Sequence, residues 1–392
     1  MAVQYSRKIT GLYYITHIEN IPSILRHGIL SHQEVQRRDI SYKPIYDERI
    51  VSRREKILSP EGKSLWNYAN LYFQARNPML FRVVEETDIS TIAVVRVRRD
   101  LLKRPDILLT TGNAAHAASE IVPFDNQVLK EIARFLDLEY WNETDGTKRK
   151  IMAECLVPDQ VEPDWIEAIY VANDEAAGHV RKLITGHTAS IDVIPDPHMF
   201  FRPDWQKYIT RNLAIAKGDM FFSRMQTLTI SVNIVGVMGK GLASRAKFQF
   251  PDVYVNYQTL CKKGVLEVGK PFLITRETSL SSELSEVPLD NGSSTWFLLF
   301  PTKKHWREDS RLEYILDGMR WLRDHYQQWK IKSLALPALG CGLGKLDWQT
   351  VGPVICSIAG RFSIPVCVYL PTEKIIPPEL LTREFLLRQD IT

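Results

Sequence analysis

The chain of 392 residues is poor in cysteine and shows no arrangement among the five it has, Cys155, Cys261, Cys341, Cys356 and Cys367. There is no CxxC pair and no metal spacing with histidine. That pattern argues against structural zinc and a disulfide framework, and for a reduced compartment. No apolar run approaches the ~20 residues that span a bilayer. The opening MAVQYSRKIT has no signal-peptide apolar region. The expectation is a cytoplasmic protein with no metal and no membrane partner. Internal repeats and low-complexity tracts are also missing. The formal net charge is only +4, so charge alone does not announce a nucleic-acid partner.

What is present is a globular composition, 45% hydrophobic and 24% charged, in a chain too long for one ordinary core. Two domains are expected. Residues 194–205, IPDPHMFFRPDW, place three prolines among aromatics and read as a structured linker. The division falls near 205, giving domains 1–205 and 209–392. Basic residues cluster in the first part as Arg37-Arg38, Arg53-Arg54, Arg96-Arg98-Arg99, Lys103-Arg104 and Lys148-Arg149-Lys150. They make either a phosphate-attracting face or an ordinary solvated surface.

The first half reads as α+β. GLYYITHI is a strand, NIPSILRHGI a helix closed by Gly28, and further strands are expected at 70–74, 91–97, 107–111 and 166–172. Helical patterns lie at 47–57 and 125–138. The second half alternates more regularly. Strands near 227–233, 271–275, 295–300, 332–336 and 364–369 are separated by helices at 241–249, 308–328 and 347–360. That predicts an α/β layered domain with a mostly parallel or mixed sheet between helices.

Two glycine-rich stretches follow predicted strands in that second half. SVNIVGVMGKGLAS (231–244) carries Gly236, Gly239 and Gly241; LALPALGCGLGKLDW (334–348) carries Gly340, Gly342 and Gly344. Bare backbone N–H groups at a strand end, with a helix behind them, suit an anion. The first loop is not a P-loop, because Gly241 rather than Ser or Thr follows Lys240. Either loop taken singly is also accounted for by a tight turn. Two of them at carboxyl ends of strands can flank one crevice. Between them FPTKKHWR (300–307) puts Lys303 at another strand end, where a desolvated amine acts as nucleophile or charge stabiliser.

Together KGDMF (217–221), VNIVGVMGKGLA, FPTKKHWR and LPALGCGLGKLDW resemble a macrodomain, most of all the DarG-type antitoxin macrodomain, which removes ADP-ribose from thymidine in DNA. The resemblance covers about residues 209–370. It implies that Asp219, with Met220, contacts adenine and that Asn233 sits at the distal ribose. It implies that Gly236, Gly239 and Gly241 with Gly340, Cys341, Gly342 and Gly344 wrap the diphosphate, and that Lys303 acts at the anomeric carbon. Ile230 stands where this type usually carries a further Asn.

A module that removes ADP-ribose invites a test of whether the other half attaches it. Transfer from NAD passes through an oxocarbenium-like state, which needs a carboxylate near the reacting carbon and an arginine on the pyrophosphate. His17, Arg53, Arg54 and Glu154 are candidates. Each also has an ordinary explanation: His17 as a helix cap, the arginines as surface charge, Glu154 as the wet face of an edge strand. Together LYYITHIENIPSILRHGIL, SRREKIL, LYFQARNPML, LLTTGNAAH and KRKIMAECLVPDQVEPDWIEAIYV resemble the DarT family, NAD-dependent toxins that ADP-ribosylate thymidine in single-stranded DNA, over residues 10–175. The resemblance implies that His17, Asn20, Gly28 and Leu30 bind NAD and that Glu154 is catalytic. Arg53 or Arg54 is the key arginine, with Arg53 the preferred register. It places Tyr72, Phe73, Arg76 and Met79 in a loop that shapes the NAD and DNA site, with Asn113 and His116 also toward DNA. Thr111 and Asn113 replace the Asp and His frequent in the fourth stretch.

The expectation is a fused toxin–antitoxin enzyme, an ADP-ribosyltransferase-like fold followed by a macrodomain, with contact between the two inside one chain. Its cofactor is NAD, ADP-ribose is the ligand of the second domain, and single-stranded DNA is the partner. Two rivals remain: a macrodomain that only reads ADP-ribose or blocks the toxin, and a transferase that modifies RNA or protein.

Overall fold

The computed structural model describes residues 8–45, 48–186, 191–289, 293–371 and 375–388. The chain forms two compact units. Met1–Phe201 together with Glu283–Leu289 make the first; Arg202–Ser282 and Asp290–Thr392 make the second. A single cut in the sequence cannot express this division, because a seven-residue piece from far along the chain belongs with the first unit.

The first unit holds β1 (Leu12–His17), β2 (Ile29–Leu30), β3 (Tyr68–Tyr72), β4 (Ile92–Val97), β5 (Leu108–Thr110), β6 (Ile121–Pro123), β7 (Glu154–Pro158), β8 (Gln160–Val161), β9 (Ile166–Val171) and β10 (Asp192–Pro195). Eight of them form one sheet in the order β10-β9-β4-β1-β3-β7-β5-β6, with β2 and β8 paired separately. β4 reads IAVVRV and is buried on both faces, as an interior strand requires. β7 lies between β3 and β5, pairing Tyr72 with Glu154 and Leu109 with Cys155. Glu154 is therefore on an interior strand, not an edge, and is fully buried.

The helix expected at 47–57 is found at Glu48–Glu55, residue 47 lying outside the described residues. The loop expected within LYFQARNPML gives way to a helix at its end. Pro78–Glu86 is a helix, with Asn77 Oδ1 accepting the Leu80 N–H at 3.0 Å and proline at its first position. Asn-Pro, which reads as a turn, is here an N-cap followed by the one helical position that needs no N–H.

The second unit contains β11 (Trp205–Tyr208), β12 (Leu213–Lys217), β13 (Thr227–Asn233), β14 (Phe272–Ile274), β15 (Trp296–Lys303), β16 (Leu334–Pro337) and β17 (Val366–Tyr369). Their order is β11-β12-β17-β16-β13-β15-β14. The five central strands are parallel, and β11 and β14 are antiparallel edges. Helices Leu312–His325 and Trp348–Ala359 bury their apolar faces in the same core as β15, β16 and β17. Parallel strands align all their carboxyl ends on one side, so Asn233, Lys303 and the loop after Pro337 meet there.

Candidate active sites

In the first unit the chemistry gathers at the start of β7. Glu154 accepts both guanidinium N–H groups of Arg54, at 3.2 Å on Oε1 and 2.8 Å on Oε2, and the Ala114 backbone N–H at 2.9 Å. Its own N–H donates to Thr110 Oγ1 at 2.8 Å, and Thr110 donates to the Gly112 carbonyl at 2.6 Å. A buried carboxylate clasped bidentately by arginine is held in one orientation. Burial alone would lower the Arg54 guanidinium, but the charge and hydrogen bonds of Glu154 carry it above its ordinary value. The phase of helix Glu48–Glu55 turns Arg54 inward and leaves Arg53 exposed. Arg54, not the expected Arg53, meets the carboxylate.

Arg54 lies on the wall of a pocket also lined by Asn20, Gly28, Leu30, Tyr72 and Met79. Glu154 stands behind it. Asn20 does not face open space. Its amide exchanges two 2.8 Å hydrogen bonds with the Lys43 backbone and donates to Thr16 Oγ1 at 3.1 Å, which ties the 40–45 segment to the pocket wall. His17 Nδ1 accepts the Glu19 N–H at 3.1 Å and so caps the turn after β1. Burial, outweighing the charge of Glu19, lowers the pKa of the His17 imidazole. Gly28 has φ +84°, and a Cβ there would lie 2.1 Å from the Val161 carbonyl oxygen. Its role in the structure is close passage of β2 against β8. Phe73 is buried, and Burial raises Tyr72 well above the usual phenol range.

Arg76 donates to the His198 carbonyl at 2.8 Å and lies over the Phe201 ring. His116 is exposed, with Nδ1 accepting the Ala118 N–H. Neither lines the pocket. Asn113 does approach the Glu154 clasp: it directly precedes Ala114, and its Nδ2 donates to Glu286 Oε1 at 2.8 Å. Several wall residues were not anticipated, Tyr14, His32 and Trp66 among them. His32 packs on Trp66 with ring centroids 4.1 Å apart, and Tyr14 is pushed up to about 12 by burial. Their signal was faint: Ser31 caps the helix beginning at His32, and SLWNYANLYF reads as an aromatic strand.

In the second unit Asn233 and Lys303 are register partners at the ends of neighbouring parallel strands. Asn233 Oδ1 accepts from the Val235 and Val237 N–H groups and the Tyr257 hydroxyl, and Nδ2 donates to the Val237 carbonyl at 2.6 Å. Its side chain builds the 233–237 turn. Gly236 and Gly241 have positive φ, and helix Gly241–Gln249 starts with no side-chain cap. That open N-terminus behind Gly239 is a ready anion site. Lys303 Nζ donates to the Leu343 carbonyl at 2.7 Å and so reaches the second glycine loop. Desolvation lowers its pKa, helped by Lys345 and opposed by Asp309.

In that second loop Gly340 has φ +76°, Cys341 is buried and Gly342 is exposed. A Cβ at Gly344 would fall 2.3 Å from the Gly340 oxygen. Asp219 caps the turn Met220–Phe222 and pairs with Arg245 at 2.6 Å. Ile230 is fully buried in β13. Among the described residues no cluster of His, Cys, Asp and Glu could hold a metal, and no helix is long and apolar enough to cross a membrane.

The fold and sites define a two-module protein: an α+β unit with a buried Arg–Glu pair beside a pocket, and an α/β unit with two glycine loops and a lysine at one sheet end. Residues 13–201 match the family described as ssDNA thymidine ADP-ribosyltransferase, DarT, and residues 231–355 match the Macro domain family. The chain is 53% identical over 381 residues to a DNA ADP-ribosyl transferase-DNA ADP-ribosyl glycohydrolase fusion protein of Thermosipho africanus, covering 96% of this chain and 98% of that protein. The structure of Thermosipho africanus DarTG in complex with ADP-ribose matches with a TM-score of 0.91 over 96% of this chain and 99% of that one, at 53% identity. A DNA ADP-ribosyl glycohydrolase of Thermus aquaticus is 36% identical over 162 residues, 41% of this chain and 42% of that protein. The chain belongs to the DarTG fusion family, with a DarT unit and a macrodomain in one polypeptide.

Proposed function

We propose that the first unit transfers ADP-ribose from NAD to thymidine in single-stranded DNA and that the second hydrolyses it off again, both in the cytoplasm. The observation that carries this is the fully buried Glu154, clasped by the Ala114 N–H and by Arg54, which lies on the wall of a pocket. NAD supplies the ADP-ribosyl group, with nicotinamide as its leaving group. The donor set fits such a molecule: Arg54 is a cation on the pocket wall, and His32, Trp66 and Tyr72 offer ring surfaces. Glu154 accepts the proton that the thymine gives up, and its charge favours a positive centre nearby. Arg54 and Ala114 fix the carboxylate so that little reorganisation is needed. An exposed base is required, because one inside a duplex is out of reach.

In the second unit the loops 236–241 and 340–344 present backbone N–H groups to the diphosphate. Lys303, with its proton affinity lowered, acts at the anomeric carbon. Holding both activities in one chain keeps them at equal stoichiometry.

The test uses the full chain with Lys303→Ala, so that the mark persists. With NAD and a thymidine-containing single-stranded oligonucleotide, the product gains the mass of one ADP-ribose. Adding Glu154→Gln lowers the rate by about 10²–10⁴-fold, the span of general-base catalysis. The chain with Lys303 intact then removes the mark. Transfer at the parent rate by the Glu154→Gln form sinks the transferase assignment. Persistence of the mark sinks the hydrolase assignment.

A further inference from the structure

The segment Glu283–Leu289 has chain neighbours on both sides in the second unit, yet belongs to the first. Three hydrogen bonds are among the contacts that anchor it there. Trp141 Nε1 donates to the Leu284 carbonyl at 2.9 Å, the Glu286 N–H donates to the Pro78 carbonyl at 3.1 Å, and Asn113 Nδ2 donates to Glu286 Oε1 at 2.8 Å. Leu284 and Ser285 are buried.

The third bond is chemically informative. Asn113 Oδ1 is used internally by the Ala115 N–H at 2.9 Å, while Nδ2 donates to Met152 Sδ at 3.9 Å as well as to Glu286. The next residue gives its N–H to Glu154. A base that delivers a proton to Glu154 must come up beside this donor, and the Glu286 carboxylate is already on it. Glu286 also lines the same pocket as Arg54. A second acid near Glu154 is an uneasy occupant: burial and the charge of Glu154 both raise its pKa, against the Asn113 bond and the charges of Arg54 and Arg82. Glu286 thus occupies the place beside Glu154 that an acceptor group of an incoming base would take.

We propose that Glu283–Leu289 is an internal competitor of the nucleic-acid acceptor, with the Glu286 carboxylate holding the Asn113 amide donor that the incoming base needs. This rests on the reading of the first unit as a transferase acting on single-stranded DNA. Transfer then proceeds only from the fraction of molecules whose segment has withdrawn, and apparent acceptor affinity falls by that fraction.

The experiment compares the full chain carrying Lys303→Ala with the same chain carrying Glu286→Ala or Glu286→Gln in addition. A fluorescent thymidine-containing single-stranded oligonucleotide is titrated by anisotropy, and transfer from NAD is measured alongside. Glu286→Ala tightens oligonucleotide binding about tenfold, within the ~5–150-fold span of coupled sites, and raises transfer at low oligonucleotide by a similar factor. Glu286→Gln keeps an acceptor for Asn113 and stays nearer the parent. The tightening persists at high salt, whereas relief of simple repulsion between one carboxylate and the phosphates is screened away. Unchanged affinity for Glu286→Ala, or a gain that vanishes in salt, overturns the competitor whatever the transfer assay shows. Tighter binding with no transfer by any form leaves the competitor standing and overturns the transferase reading instead.

Discussion

Breaking the Arg54–Glu154 pair from its two sides has unequal consequences. Glu154 has no exposed side-chain surface, while Arg54 keeps 17%. Arg54→Met strands an ionised carboxylate in the interior with only the Ala114 N–H beside it. Losing one partner of a buried pair costs about 3–5 kcal/mol. For a unit made of Met1–Phe201 and Glu283–Leu289, each kcal/mol shifts the midpoint by about 2–4 °C, so its melting falls by roughly 6–20 °C. Glu154→Gln leaves the guanidinium partly solvated and still facing one amide oxygen, at a cost nearer ~1–3 kcal/mol. Replacing both together, Arg54→Met with Glu154→Leu, removes the buried charges altogether and recovers most of the loss. Scanning calorimetry of the full chain reads all four forms. Equal melting of the two single variants, or a double variant no better than Arg54→Met, refutes the claim that the cost comes from an uncompensated buried carboxylate.

Thr110→Val keeps shape but removes the acceptor of the Glu154 N–H and the donor to Gly112; it is expected to cost about 1–3 kcal/mol and to lower transfer kcat more than the KM for NAD in steady-state assays. Gly344→Ala drives a Cβ against the Gly340 oxygen, while a Cβ at Gly342 meets nothing within 4 Å. Calorimetric affinity of the second unit's site for ADP-ribose therefore falls at least tenfold in the first variant and holds in the second. Removal of the mark rises with pH as Lys303 loses its proton, with a midpoint below that of an ordinary lysine. Lys345→Met takes away a like charge and unpairs Asp309, both of which favour protonated Lys303, so the midpoint moves up; a downward shift contradicts the assignment.

Much of the second unit was legible in the sequence because its signals are local. β15 is a largely apolar run and β13 alternates Thr and Ser with Leu, Ile and Val; both are mostly buried, and each ends at the residue that matters, Asn233 or Lys303. Glycines after β13 and β16 take positive φ at Gly236, Gly241 and Gly340, a local backbone requirement that glycine meets whatever surrounds it. The first unit was legible chiefly by resemblance, since its site is assembled from distant stretches: helix Glu48–Glu55, the loop after β5 and the start of β7. Helix Pro78–Glu86 was missed because Asn-Pro has a turn meaning and a cap meaning, and the following core contacts choose between them.

By itself the sequence determined the two modules, their order, the strand ends that carry Asn233 and Lys303, and the glycine loops. Only the tertiary structure decided that Arg54 rather than Arg53 turns inward, that Asn20 and Asn233 spend their amides on building walls and turns, and that Glu283–Leu289 joins the first unit. The reason is physical. Strand period and backbone conformation are properties of neighbouring residues. Which of two adjacent arginines is buried, and which carboxylate reaches Asn113, depends on the phase of elements brought together across 100 and 173 residues of chain.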